Sequence, residues 1–194
     1  MIWILVIPLA LLFFYAVSVY NFFVSSKARI KASIQEIGNQ LKRQSELIPN
    51  LESSAKGYLK HEKGIFEKLA DARKAINRAV ESGDLQKMAD AGAKLAGMLP
   101  DIKVVVESNP EIKGSEVVQN LMNELRDTSD KVMYARRLLI DLSADFNVKR
   151  ATFPSNVIAN MFGFSEVEGL KMDEAGEATK VTRESTKTPK VNLE

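Results

Sequence analysis

Residues 115–146 read SEVVQNLMNELRDTSDKVMYARRLLIDLSADF and carry the most regular apolar pattern of the chain. Apolar or small side chains recur there at alternating intervals of three and four residues, at Val118, Leu121, Leu125, Thr128, Val132, Ala135, Leu139, Leu142 and Phe146. This rhythm places them along one face of a helix and is typical of helices that pack lengthwise. Ser115 can cap the first turn, where the helix dipole favours the negative charge of Glu116.

Three further helical segments precede this one. The first repeats the stripe, with Gln44 as its only polar member, and is predicted to end at Pro49 because residues before proline avoid the α region. A second helix is predicted from Asn50 to Gly83. A third, from Asp84 to about Val106, is rich in Ala and Gly, which predicts close packing or local mobility, and is interrupted at Pro100. Short connections favour antiparallel neighbours, so we predict an all-α fold, an elongated antiparallel bundle of about four long helices.

The N-terminal residues 1–24 contain no charged side chain and are long enough to span a bilayer as a helix. A secretory signal peptide normally begins with a basic region, and no Lys or Arg precedes this run. We therefore interpret it as a transmembrane anchor, bent at Pro8. Because no proline lies between Tyr20 and Ile48, the anchor is predicted to continue into the first bundle helix.

Basic residues follow the anchor directly, at Lys27, Arg29 and Lys31, before the first acidic residue, Glu36. The positive-inside rule predicts that the bundle is cytoplasmic and the N-terminus outside. Near a cytoplasmic leaflet, each of these side chains is also attracted to anionic headgroups by about 1 kcal/mol.

The segment from Phe153 to Phe164 is unusually apolar, and a short helix is predicted within it from Val157 to Gly163. Its large apolar residues are candidates for an interaction surface: Phe153, Ile158, Met161, Phe162 and Phe164. Docked on the bundle, they would form a cap; exposed, they would meet a partner, a second copy or lipid. The chain thus divides into an anchor (1–24), a helical bundle (25–164) and a charged tail (165–194) that is predicted to be disordered.

Little in the sequence indicates catalysis. Cysteine is absent, which excludes disulfides and thiolate sites, and His61 is the only histidine. The near balance of 27 basic and 25 acidic residues argues against nucleic-acid binding. We expect no catalytic residues, cofactor, metal or small-molecule substrate. Two polar groupings each have two interpretations, a functional site or ordinary contacts of the bundle. They are a cluster of Tyr58 and His61 with Arg136 or Arg137, and a basic patch of those arginines with Lys42–Arg43.

Several segments together resemble the bacterial LemA family. They are Gln40–Arg43, Leu47–Leu51, Lys56–Tyr58 with His61–Glu62, Ala135–Arg137, and Phe153–Asn156 with Gly163–Phe164. The resemblance implies a bacterial protein with a single N-terminal anchor, an antiparallel bundle of long helices and no established activity. We expect it in the bacterial inner membrane. Magnetosome proteins similar to this family take part in shaping membrane, which favours a structural role by analogy.

We therefore predict a non-enzymatic bitopic membrane protein that acts as a self-assembling scaffold or membrane organiser. The alternative is an adaptor for a protein partner such as a membrane protease or a signalling component. The expected partners are the lipid bilayer and either a second copy of the chain or another membrane-associated protein.

Overall fold

The computed structural model describes residues 2–56 and 63–170. These ranges contain helices and no strands, which confirms the all-α prediction. The helices are α1 (Ile2–Ala55), α2 (Lys63–Ser82), α3 (Leu85–Ser108), α4 (Pro110–Lys113), α5 (Glu116–Ala151) and α6 (Ser155–Met161).

The two longest helices, α1 and α5, form the spine of the bundle. They run antiparallel, since the ring of Phe23 packs on that of Phe146, with centroids 5.1 Å apart, while Arg43 forms an ion pair with Glu124. Each helix buries a side chain at every seventh position. These are Phe23, Ile30, Ile37, Gln44 and Leu51 on α1, and Val118, Leu125, Val132, Leu139 and Phe146 on α5.

Helices α2 and α3 cover the part of this spine that is farther from the N-terminus. Ser45 of α1 donates a hydrogen bond to Asn77 of α2, at 2.5 Å. The predicted break between α2 and α3 is confirmed: Gly83 adopts a φ of 65°, and Asp84 caps α3 by accepting from the Lys87 amide at 3.1 Å. That hydrogen bond lowers the pKa of the Asp84 carboxyl.

The small residues of α3 allow the close packing that the sequence predicts. A Cβ atom built at Gly92 would lie 2.9 Å from Val132 Cγ1 and 3.3 Å from Leu41 Cδ2. Both distances are shorter than ordinary van der Waals contact, so α3 approaches α1 and α5 at a point where only glycine fits without a shift.

Two predicted helix breaks are wrong. α1 passes through Pro49 to Ala55, and α3 passes through Pro100 to Ser108. A proline inside a helix costs about 3 kcal/mol or more. Here each helix continues to bury apolar side chains beyond its proline, Leu51 and Ala55 in α1 and Ile102 and Val106 in α3, and this packing offsets the cost.

The predicted start of the second helix at Asn50 is also wrong, because residue 50 belongs to α1 and α2 begins at Lys63. Between α3 and α5 the chain forms one helical turn, α4, and Ser115 then caps α5 as predicted.

Residues 165–170, which we assigned to the tail, lie on the bundle. The Asn147 side chain forms two hydrogen bonds with the backbone of Val167. Its Nδ2 donates to the Val167 carbonyl at 2.9 Å, and its Oδ1 accepts from the Val167 amide at 3.0 Å. Leu170 is buried. We call residues 164–170 the strap. The rest of the predicted tail, 171–194, lies outside the described residues.

α1 is the one helix within the described ranges that is long and apolar enough to cross a membrane. Its most apolar window has a mean hydropathy of 2.2 and is only 6% buried within the protein. Large apolar side chains from Trp3 to Phe14 are exposed on the surface of the helix. The same helix then enters the bundle, and Pro8 lies inside it.

Candidate membrane-proximal site

The chain returns to the exit of the candidate span at α6. The ring of Tyr20 lies 4.9 Å from that of Phe162 and 5.8 Å from that of Phe164, between centroids. Phe23 stacks on Phe164 at 4.8 Å. Val19, which lies one helical turn before Phe23 in the apolar run, is only 3% exposed. The end of the apolar run is therefore packed against protein and aromatic side chains join it to the bundle.

Polar contacts hold α6 against the end of α5. The buried hydroxyl of Ser155 lies 2.6 Å from the carbonyl oxygen of Lys149 and can donate to it. Gly163, with a φ of 69°, ends α6, and the Phe164 amide then donates to the Ala159 carbonyl at 2.9 Å. Arg150 Nε donates to the Phe164 carbonyl at 2.9 Å and so fixes the start of the strap.

The five apolar residues predicted as an interaction surface divide into two groups. Phe164 is buried and Ile158 is half-buried, so these two side chains belong to the cap. Phe153, Met161 and Phe162 are 80%, 66% and 51% exposed. The segment is thus both a cap and an exposed apolar surface.

Sequence reasoning missed one member of this surface. Val157 is 55% exposed and lies four residues before Met161 on α6, whereas Phe153 lies two residues before the helix begins. That spacing, which places side chains on one side of a helix, was visible in the sequence and could have identified it. We call Phe153, Val157, Met161 and Phe162 the α6 face.

The three basic residues that follow the span are all exposed. Lys27 extends over the ring of Phe164, with Nζ 5.3 Å from the centroid. Lys149, from α5, extends over Phe22 in the same way, at 5.7 Å. Positive charge therefore surrounds the aromatic cluster, and each ammonium group lies within the range of a cation–π contact.

The predicted polar cluster is only partly described. Tyr58 and His61 lie outside the described residues, so the cluster stays a prediction. Arg136 is half-buried and Arg137 exposed on α5. Both lie on the side of the Arg43–Glu124 ion pair that faces the span, whereas α1 ends at Ala55 on the opposite side.

The predicted basic patch of Lys42–Arg43 with Arg136–Arg137 does not form. Arg43 is paired with Glu124, whose carboxylate raises the pKa of the guanidinium. Arg136 lies twelve residues farther along α5, which is about 18 Å of helix. The antiparallel register of α1 and α5 therefore separates the two pairs of basic residues.

A second exposed apolar surface lies beside the groove between α1 and α5. Tyr134 is 70% exposed, Met133 48% and Leu138 38%. Small or polar α1 side chains, Ala32 and Ser33 among them, line the other wall of the groove. We call Met133, Tyr134 and Leu138 the α5 face.

Within residues 2–56 and 63–170, no three His, Asp or Glu side chains are grouped so that they could hold a metal ion. The same ranges show buried side-chain polar atoms without hydrogen-bond partners, of which both amide atoms of Gln44 are the most enclosed. Gln44 and Ser143 lie in the packed interior, whereas Gln40, Glu52 and Asn156 are half-buried. The α6 face and the α5 face are exposed apolar surfaces, and surfaces of this kind are suited to association.

Comparison with known proteins identifies the family of this chain. The LemA family model matches residues 33–183, which is most of the chain. The chain belongs to the LemA family. It is also 24% identical over 186 residues to the magnetosome protein MamQ of Magnetospirillum gryphiswaldense, an alignment that covers 84% of this chain and 68% of MamQ. Neither the family description nor the name of this relative states an enzymatic activity.

Proposed function

We propose that this LemA-family chain is a single-pass membrane scaffold that displays a rigid helical bundle and associates with further copies of itself. The continuity of α1 is the observation that carries the proposal, since one helix includes both the candidate span and the core of the bundle. A bundle attached in this way has a fixed orientation relative to its anchor.

The length of α1 determines how far the bundle extends from the membrane. From residue 25 to Ala55 the helix extends about 45 Å beyond the anchor. Over this distance it is packed against α5, and the buried positions of both helices recur every seven residues. Such lateral packing resists bending, so the far end of the bundle is held at a defined distance from the bilayer.

The α5 face supplies a surface for self-association. Two of its side chains, Tyr134 and Leu138, border a groove whose other wall is formed on α1 by Ala32 and Ser33 between the charged Arg29 and Glu36. Anchored copies share one orientation in the membrane, and a two-fold axis along the membrane normal brings the same face of each copy together. Aromatic and Met side chains are enriched in protein interfaces.

The orientation of the protein follows from charge. Lys27, Arg29 and Lys31 are exposed directly after the span, and the positive-inside rule favours keeping them in the cytoplasm. In a bacterial inner membrane this places the N-terminus outside and the bundle inside.

Cysteine crosslinking in native membranes tests the scaffold, and the natural chain has no cysteine to interfere. The full chain with Tyr134→Cys is oxidised, and the products are sized beside those of Val104→Cys, a matched variant with an α3 side chain that is 65% exposed. We expect products at twice the 21.6 kDa of the chain for Tyr134→Cys only.

Two results would contradict the scaffold. A single product with a different protein would favour an adaptor, and its mass spectrum would identify the partner. Monomer alone at position 134, or equal dimer at both positions, would show that the α5 face does not mediate specific association.

A further inference from the structure

We infer that the α6 face lies in the lipid bilayer beside the exit of the anchor, so that the bundle has a second, interfacial contact with the membrane. The inference rests on the proposed anchoring of α1. It assigns to lipid a surface that is formed by Phe153, Val157, Met161 and Phe162, and that the bundle leaves exposed.

The depth of α6 follows from helix geometry. A hydrocarbon core about 30 Å thick needs about 20 residues of helix at 1.5 Å per residue. Counted back from Lys27, the first charged residue after the run, the hydrocarbon part of the helix ends in the low twenties of the sequence, because a charged group stays outside the hydrocarbon core. α6 contacts the span at Tyr20, through Phe162, and Val19 is buried at the same end. The short helix therefore lies at the level where hydrocarbon meets headgroups.

The chemistry of the α6 face fits that level. Its side chains are two aromatic rings, one thioether and one branched aliphatic chain, and more than half of each is exposed. Apolar side chains of this kind are stabilised when the apolar side of an interfacial helix enters the boundary between headgroups and acyl chains. A water-soluble partner would have to replace lipid to reach a surface that adjoins the span.

Basic side chains lie around α6 on both α1 and α5, beside the exposed Glu166 and Glu168 of the strap. Lys149 and Arg150 end α5 at this level, and Lys27 and Arg29 follow on α1. Lys149 reaches toward Phe22, away from the deeper part of the span, as a lysine does when it keeps its ammonium group at headgroup depth. An anionic lipid surface complements this arrangement.

Collision accessibility of spin labels tests the inference on the full chain in phosphatidylcholine and phosphatidylglycerol vesicles. Single cysteines at Met161 and, separately, Val157 carry a nitroxide, and its collision rates with oxygen and with a water-soluble nickel chelate are compared. Val104→Cys is the matched control, because Met161 and Val104 are 66% and 65% exposed in the bundle. Leu11→Cys reports the anchor itself.

We expect the ratio of oxygen to nickel collisions to be severalfold higher at positions 161 and 157 than at 104, and to approach that at position 11. Nickel accessibility at 161 and 157 equal to that at 104 would overturn the inference, because the α6 face would then lie in water. Low accessibility to both reagents would overturn it as well, since protein would then cover the face.

The label at position 11 separates this inference from the proposed function. If Leu11 is in lipid while positions 157 and 161 are not, the anchor stands and only the second contact is wrong. If position 11 is in water, the anchoring itself fails. Circular dichroism of each labelled variant shows whether the helical fold is retained.

Discussion

At the scale of single residues, Gln44 is a large polar side chain in the buried face of α1, which otherwise consists of apolar side chains and of Ser26, Ser33 and Ser45. The sequence shows it as the polar member of the stripe, and the structure buries it completely, with no hydrogen-bond partner for either amide atom in the described part of the chain. Polar residues at such positions can fix the register of packed helices at a cost in stability. The burial was predictable from spacing, whereas the missing partners depend on what faces Gln44 across the bundle.

Replacing Gln44 by leucine is expected to raise the free energy of unfolding by about 1–3 kcal/mol, because a buried amide without hydrogen bonds loses its hydration without compensation. Denaturant unfolding of the full chain in detergent micelles measures the change. Gln35→Leu, at an exposed position of α1, is the control and should change stability little. A loss of stability in Gln44→Leu would show that the amide has a partner that stabilises the fold.

Asn147 holds the middle of the strap, because both of its hydrogen bonds go to Val167. Asn147→Ala removes these bonds, and at roughly 1 kcal/mol for each we expect a loss of about 1–2 kcal/mol, localised at residues 164–170. Hydrogen exchange should show faster exchange of the Val167 amide. The variant Asn123→Ala, at an exposed site on the same helix, should leave that amide protected. Unchanged exchange in Asn147→Ala would mean that the strap is held by its other contacts.

At the scale of elements, the periodic stripe correctly predicts α5, whereas the helix ends predicted from Pro49 and Pro100 are wrong. The stripe residues of α5 are buried or half-buried, because a regular repeat already specifies which face meets the other helices. Pro49 and Pro100 are local signals for a helix end, but burial of side chains beyond each proline comes from distant segments. The order of residues 165–170 likewise depends on Asn147, twenty residues away from Val167.

The two glycines of α3 should respond oppositely to alanine. Gly92→Ala places a Cβ 2.9 Å from Val132 Cγ1, and a β-branched side chain on a helix cannot easily rotate away. Overpacking costs about 1–3 kcal/mol, which exceeds the gain of about 1 kcal/mol in helix propensity. Gly97 has no such neighbour within 4 Å, so Gly97→Ala should gain the propensity term alone.

Thermal unfolding of both variants measures this difference. We expect a lower Tm for Gly92→Ala and a higher Tm for Gly97→Ala. The double variant with Val132→Ala should relieve the clash at position 92 while it adds a cavity. A Tm increase in Gly92→Ala would contradict the close approach of α3 to the α1–α5 pair.

At the scale of the whole molecule, the sequence predicts an apolar run that continues into the first bundle helix, and the structure confirms this continuity in α1. The charge-free run and the basic residues after it were evident from composition. The return of α6 to the end of the span was not, because it depends on ring contacts between Tyr20 and Phe162 that join residues far apart in sequence.

Orientation across the membrane is open to a direct test. Because the chain has no native cysteine, Ser185→Cys provides a unique label in the C-terminal segment. A membrane-impermeant maleimide should label this variant only after lysis, since the positive-inside rule places the bundle in the cytoplasm. Labelling of intact cells at the same rate as lysed cells would reverse the assignment.

The continuity of α1 is the central claim, and a distance measurement across the membrane exit tests it most directly. Spin labels at Ala10→Cys and Ala28→Cys lie five helical turns apart on exposed positions, and the full chain is measured in bilayers after dilution with unlabelled protein. One unbroken helix predicts a single narrow distribution centred at about 27 Å. A broad distribution, or a shorter distance, would show a hinge between anchor and bundle and would contradict the rigid display on which the scaffold depends.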